Sequence, residues 1–234
     1  MKCSFVIPSF NSAEYLHSAI ESCLAQSHKD IEVVVVDDHS TDSTPDYIAW
    51  AKKQKWASKC IFIHNEKNMG RSASRNIGNR TATGDILAVL DADDLSMPRR
   101  AEITVSRFEK GAVFVHGAAH KMDPVGRDLG MEETDVFNKE KALERLSAGM
   151  VHSTVAYSKE LAASYPYLEG EPARLGVDDF TIIIPMALAG IKFDYIPTPL
   201  SIYRVNEFGV TAIRNPEEVV KFKKDFVEGL TVTV

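Results

Sequence analysis

Short, strongly apolar runs alternate with amphipathic stretches from the amino terminus to Asp91. Residues 4–7 (Ser-Phe-Val-Ile) read as a strand closed by Pro8. Ala13, Leu16, Ala19, Ile20, Cys23 and Leu24 then recur at helical spacing, with Asn11 as N-cap and Glu14 completing a capping box. Residues 31–36 form a nearly unbroken β-branched run, the pattern of a strand covered on both faces. Thr44 caps the next helix with Pro45 at its first position, and that helix extends to about Lys55. Residues 60–64 make a third strand, 71–80 a third helix and 86–90 a fourth strand. This β-α-β-α-β-α-β order predicts a mostly parallel sheet with right-handed crossovers.

Beyond a helix over 97–110 the pattern loosens. Strands are expected at 112–116, 153–157, 193–196 and 200–204, with a turn at 123–126. Helices are expected at 138–146 and 177–189, the second kinked or shortened by Pro185. Residues 168–176, rich in Gly, Pro and charge, predict a mobile loop. Asn215 caps a final helix with Pro216 at its first position and Glu218 three residues on, and 231–234 form a tail strand or a frayed end.

Composition narrows the function classes. With 234 residues, 44% of them hydrophobic, the chain can bury a sizeable core. A net charge of -6 argues against a nucleic-acid partner, which would require a basic surface. Cys3, Cys23 and Cys60 are scattered and odd in number, as expected of free thiols in a reducing cytoplasm, two of them in the core. No run approaches the ~18 apolar residues of a membrane helix, and residues 1–8 lack a secretory h-region, so a cytoplasmic protein is expected, with peripheral membrane contact left open.

Candidate chemistry sits at the strand ends. Residues 86–90 run straight into Asp91-Ala92-Asp93-Asp94, and extended alternation sets Asp91 and Asp93 on one side while Asp94 turns away. Crowded carboxylates raise one another's pKa unless neutralised, and a hard divalent cation does so with oxygen ligands. The other reading is an acidic turn capping the following helix. The second strand also ends in carboxylates, Asp37-Asp38, on the same edge of a parallel sheet, where ligands of open α/β sheets gather. That coincidence favours a ligand site. Neither a G-x-G-x-x-G after the first strand nor a P-loop is present.

Several stretches carry a resemblance: residues 6–11 (Val-Ile-Pro-Ser-Phe-Asn), 36–44 (Val-Asp-Asp-His-Ser-Thr-Asp-Ser-Thr), 68–76 (Asn-Met-Gly-Arg-Ser-Ala-Ser-Arg-Asn), 90–94 (Leu-Asp-Ala-Asp-Asp), and the late Asp178-Asp179 with Tyr203-Arg204. In this order the set resembles the family 2 inverting glycosyltransferases of GT-A fold, over roughly the first 205 residues. The resemblance implies an α/β, Rossmann-like, mostly parallel sheet with helices on both faces and a smaller C-terminal acceptor-side portion. Residues 1–111 would bind the donor, 112–214 would form the acceptor side of the same domain, and 215–234 a helix and tail.

It further implies a nucleotide-diphosphate sugar donor, UDP-linked by expectation, an Mn²⁺ or Mg²⁺ ion, and inverting transfer to a hydroxyl of a glycan, lipid-linked or protein acceptor. Asp93, with Asp94 or Asp91 assisting, would hold the metal, or Asp91 would contact the ribose instead. Pro8, Phe10, Asn11 and Asp38 would frame the nucleotide, and Arg71 and Arg75 would reach its phosphate or base. Residue type alone also allows Phe10 as a core aromatic, Asp38 as a turn residue and the arginines as a solvated helix face. Asp178 or Asp179, the latter favoured, would be the catalytic base, unless the pair merely stabilises a helix start. Asn206 stands where the family often has a histidine and would offer the metal a weaker oxygen. That departure motivates a second reading, a nucleotide-sugar-binding protein with weak or no turnover.

Overall fold

The computed structural model describes residues 1–132, 134–170, 174–205 and 215–231. Asn206, residues 171–173 of the expected mobile loop and the tail residues 232–234 lie outside the described residues. The strands are β1 (Cys3–Ser9), β2 (Ile31–Asp37), β3 (Cys60–His64), β4 (Ile86–Val89), β5 (Leu95–Ser96), β6 (Phe114–Met122), β7 (Asp128–Glu132), β8 (Ala156–Ser158) and β9 (Asp194–Arg204). The helices are α1 (Leu16–Leu24), α2 (Thr44–Ala51), α3 (Arg71–Thr81), α4 (Arg100–Phe108), α5 (Lys139–Arg145), α6 (Lys159–Ser164), α7 (Asp178–Leu188) and α8 (Pro216–Thr231).

Among the described residues nine strands join one sheet in the order β3-β2-β1-β4-β8-β6-β9-β5, with β7 paired to β6. The first four are parallel to their neighbours, while β8 and β5 run antiparallel and β6 and β9 pair in parallel. Strand alternation sorts the core into two layers. Phe5, Ile7, Val33 and Val35 face α1 and α4, where Leu16, Ile20, Val105 and Phe108 cover them. Val6, Val34 and Val36 face the opposite way, into a cluster with Leu161, Ile182, Ile183 and Met186 of α6 and α7. Both faces of β1 and β2 are thus sealed, as the β-branched runs predict, and each buried aliphatic side chain contributes roughly 1.5–3 kcal/mol. Helix α3 approaches β1 and β2 closely because Gly78 has no Cβ: one built there would stand 2.4 Å from Val6 Cγ1.

Several expectations change in the fold. Asn11 does not cap α1. It adopts a left-handed backbone (φ 50°), and its side-chain oxygen accepts the backbone N–H groups of Thr41 (2.8 Å) and Asp42 (3.3 Å). Helix α2 stops at Ala51, and a 3₁₀ turn, Lys55–Lys59, leads into β3. The stretch expected as a strand from 153 to 157 opens as a 3₁₀ turn, His152–Thr154, because the chain bends there toward the acidic turn. Pro185 sits inside α7 without ending it. The two expected late strands are one, β9, whose pairing with β6 shifts register between Gly117 and Ala119, opposite the Pro197–Pro199 segment that cannot donate a regular ladder. Asn215 does cap α8, accepting the Glu217 N–H at 3.0 Å.

Candidate active site

The parallel pairing of β1 with both β2 and β4 brings their carboxyl ends to one edge. There Ser9 lies opposite Asp37, and the Asp38 N–H donates to the Ser9 carbonyl at 2.8 Å. Asp38 is 2% exposed, and its carboxylate accepts Asn65 Nδ2 (2.7 Å) and the backbone N–H groups of Met69 (2.8 Å) and Gly70 (2.7 Å). Asp38 therefore shapes the Asn68–Gly70 loop in addition to lining the cleft beneath it. Gly70, at φ 85°, occupies the left-handed region where the loop enters α3. Asp37 is buried away from the cleft and bonds His64 and Ser40.

Past β4 the three carboxylates of the acidic turn part company. Asp91, Ala92 and Asp93 line the cleft. Asp94 is fully buried, with one oxygen taken by the Ser153 hydroxyl and the other by the Arg204 backbone N–H at 2.8 Å. Burial, reinforced by Asp93 and Asp91, drives its pKa well above the usual carboxylate range. Asp94, expected to assist in holding the metal, has each of its oxygens on a protein donor. Burial and the nearby Asp91 push the Asp93 carboxyl up to about 6, against the opposing pull of Arg204 and Arg71. Arg204 braces the turn through its Nε on the Asp93 carbonyl (2.9 Å), while its guanidinium lies 4.3 Å from the Tyr15 ring centre.

The two arginines of α3 also differ from expectation. Neither is a free fork. Arg71, half-buried, donates through Nε to Asp178 at 2.8 Å. Arg75, 2% exposed, bonds Asp178 with one nitrogen and Asp91 with another at 2.5 Å, so it bridges β4 to the start of α7. Burial opposes the charge on Asp178 and Asp91, but the arginines outweigh it and hold both carboxyls below the ordinary range. Asp179 is partly exposed beside this clamp, and among the described residues its carboxylate receives only the Phe180 N–H, at 2.7 Å. His152 is satisfied by the Tyr167 hydroxyl at 2.9 Å, and burial lowers its pKa to about 4.

Two cavities share a wall made of Arg71, Asp91 and Tyr203. One, of about 710 Å³, is lined by Pro8, Phe10, Asn11, Asp38 and Asp93. Phe10 is no core aromatic; it stands 48% exposed at the rim. The other, of about 570 Å³, contains Arg75, His152, Asp178 and Asp179. It also holds Lys121 and Glu132, paired at 3.0 Å, which no motif in the sequence signalled. Tyr15 and Ser153 were missed for the same reason: their roles arise only from contacts made across the fold.

Among the described residues no group of three or more His, Cys, Asp or Glu side chains converges to hold a metal ion. Asp93, with the Arg75-paired Asp91 beside it, offers hard oxygen on the cleft wall, which suits an ion completed by substrate phosphates. No helix among the described residues is long and apolar enough to cross a membrane.

An uncharacterized glycosyltransferase of Nostoc sp. is 39% identical over 217 residues, 88% of this chain and 65% of that protein. The succinoglycan biosynthesis protein ExoO of Rhizobium meliloti is 31% identical, covering 90% of this chain and 62% of its own length. The chain thus spans under two thirds of these relatives. Among solved structures, S. aureus TarS in complex with UDP superposes with a TM-score of 0.71 at 17% identity, over 98% of this chain and 65% of that one. The mannosyltransferase PcManGT of Pyrobaculum calidifontis, in complex with GDP-Man and Mn²⁺, gives 0.65 at 20% identity, over 89% and 58%. At such identities the likeness establishes the fold, which is the GT-A arrangement. The glycosyl transferase family 2 profile matches residues 4–163, more than half of the chain, and the chain belongs to that family.

Proposed function

We propose that the chain is an inverting glycosyltransferase that moves a sugar from a nucleotide-diphosphate donor, UDP-linked in the first instance, to a hydroxyl of a glycan, lipid-linked or protein acceptor. The observation that carries this reading is the pair of cavities meeting at Arg71, Asp91 and Tyr203. A donor in the larger cavity would stack its base on Phe10, with Pro8, Asn11 and Asp38 around it. Its diphosphate would lie toward Asp93.

An Mn²⁺ or Mg²⁺ ion held by Asp93 and the donor's phosphates would offset the charge that grows on the leaving group. Asp179 is the residue proposed as base. It faces the smaller cavity with one oxygen uncommitted, whereas Asp178 is locked between two arginines and poorly placed to take up a proton. In the reaction the acceptor hydroxyl loses its proton to Asp179, its oxygen bonds the anomeric carbon, and the bond to the β-phosphate oxygen breaks. The nucleoside diphosphate leaves with that electron pair. TarS bound to UDP and PcManGT bound to GDP-Man and Mn²⁺ support the donor class and the ion by analogy of fold.

The test is release of UDP from UDP-sugars in the presence of Mn²⁺ or Mg²⁺ and a panel of acceptors. Turnover that disappears in Asp93→Ala and in Asp179→Ala supports the assignment. Release unaffected in both variants overturns it, and metal-dependent donor binding without turnover favours the binding-protein reading raised by Asn206.

A further inference from the structure

We infer that the surface at the end of α2, opposite the candidate active site, docks the protein on an anionic lipid bilayer. Helix α2 begins at Thr44, beside the Asn11 loop of the cleft, and runs back along the sheet. Its last turn and the 3₁₀ turn that follows therefore lie at the edge where the strands enter. There Lys59 Nζ donates to the Lys29 carbonyl at 3.3 Å, joining the start of β3 to the approach of β2.

From this edge an aromatic series runs along the flank of α2 toward the start of α1. Tyr47 and Trp50 have ring centres 5.7 Å apart, Trp50 and Trp56 6.3 Å, and His17 packs on both Tyr47 and Trp50. Tyr47 and Trp56 are anchored on the hydrophobic core, whereas Trp50 is 47% exposed. Five exposed lysines lie on the same segments, Lys52, Lys53, Lys55 and Lys59 between α2 and β3 and Lys29 at the approach to β2. Among the described residues none of the five pairs with a carboxylate. Asp30 and Asp46 are the acidic residues beside them in sequence, and Glu21 is engaged with His17 at 3.4 Å. A chain of net charge -6 thus concentrates positive charge around an exposed indole.

Charge and ring chemistry select the occupant. Tryptophan and tyrosine settle at the headgroup level of a bilayer, with the apolar ring inward and the N–H or O–H in water. Lysine supplies hydrated point charges suited to a diffuse anionic surface, not the planar forks that read one particular carboxylate or phosphate. With little apolar area to insert, binding is reversible and salt-sensitive. Docking through the edge where the strands enter would leave the cleft at their carboxyl ends open.

The chain supplies its own probe, because its only two tryptophans, Trp50 and Trp56, both lie in the patch. Tryptophan emission and co-sedimentation of the full chain are followed with phosphatidylglycerol/phosphatidylcholine vesicles and with phosphatidylcholine alone. The expected result is a blue shift and sedimentation with the anionic vesicles only, both weakening as salt rises. Replacing Lys52, Lys53 and Lys55 together by Gln should weaken partitioning roughly 100-fold, at about 1 kcal/mol for each lysine near the surface, with an unchanged thermal midpoint. Absence of binding at low salt, or equal binding by the triple variant, overturns the proposal. So does a blue shift that grows with protein concentration without lipid, which would assign the patch to a second copy of the chain.

Discussion

Arg75 and Asp178 form an ion pair in which each side chain is only 2% exposed, and the same guanidinium also holds Asp91. The pair ties the strand that ends in the acidic turn to the helix that presents Asp179. Removing the cation would strip the half-buried Asp91 of its ion-pair partner and leave the buried Asp178 with Arg71 alone. Arg75→Ala should cost about 3–5 kcal/mol, the penalty for breaking a buried pair, and should raise the pKa of both acids. Arg75→Lys should recover only part of that loss, since a single ammonium cannot span both partners as the planar fork does. Urea unfolding of the three proteins measures the difference; equal stability of Arg75→Ala and the wild type would refute the clamp.

The two adjacent acids of α7 should separate cleanly on mutation. Asp179→Asn keeps the hydrogen bond from Phe180 but removes the base, and turnover should fall about 10²–10⁴-fold with donor affinity unchanged. Asp178→Asn instead strips charge from the Arg71–Arg75 clamp, and its main effect should be on unfolding free energy. Turnover and isothermal titration with UDP distinguish the two. A reversed pattern would move the base to Asp178.

Much of this site can be read in the chain because burial on both faces leaves strands such as residues 31–36 with an unmistakable composition, and their polar terminators mark one sheet edge. Even the separation of Asp94 from Asp91 and Asp93 follows from alternation past β4, although its capture by Ser153 and the Arg204 backbone does not. Arg71 and Arg75 misled for a related reason: helical spacing shows which face they share, but the carboxylate that occupies them lies 103 positions from Arg75. Asn11 looked like a cap because a short polar side chain suits both an N-cap and a left-handed turn. Pro185 is tolerated within α7 because that helix is buried along most of its length, and packing there outweighs the lost backbone bond.

Metal affinity should depend on Asp93 and on the donor together. A site with one or two protein carboxylates gains ligands from phosphate oxygens, so Mn²⁺ should raise the melting temperature far more with UDP present than alone. Asp93→Asn should abolish the joint shift, while chelation by EDTA should return the wild type to its UDP-only value. Differential scanning fluorimetry reports all three. A full shift retained by Asp93→Asn would place the ion elsewhere.

Gly78 tests the packing that seats α3, and with it both arginines. The missing Cβ would fall 2.4 Å from Val6 Cγ1 and 3.4 Å from Val36 Cγ2, both buried strand side chains with little freedom to move. Helix propensity alone favours Ala over Gly by about 1 kcal/mol. The clash should reverse that sign, and Gly78→Ala should destabilise by roughly 1–3 kcal/mol. A stabilised variant in urea unfolding would mean that α3 can lift from the sheet at little cost.

At the opposite edge of the sheet, Glu32 fastens three segments at once. Its carboxylate, 7% exposed, accepts Lys2 Nζ (2.6 Å), Ser4 Oγ (2.6 Å), and the backbone N–H (2.6 Å) and hydroxyl (2.7 Å) of Thr83. Burial opposes its charge, but these donors prevail and pull its pKa down to about 2 from 4.5. Because the folded value lies below the unfolded one, ionised Glu32 adds stability above about pH 4.5, with a ceiling of about 3 kcal/mol. That contribution drains away as pH falls from about 4.5 toward about 2. The stability gap between wild type and Glu32→Gln should therefore be widest near neutral pH and narrow steadily in acid, measured by urea unfolding at intervals from pH 7 to pH 3. A gap that stays constant over that range would show that the glutamate acts there through its shape and hydrogen bonds alone, not through its charge.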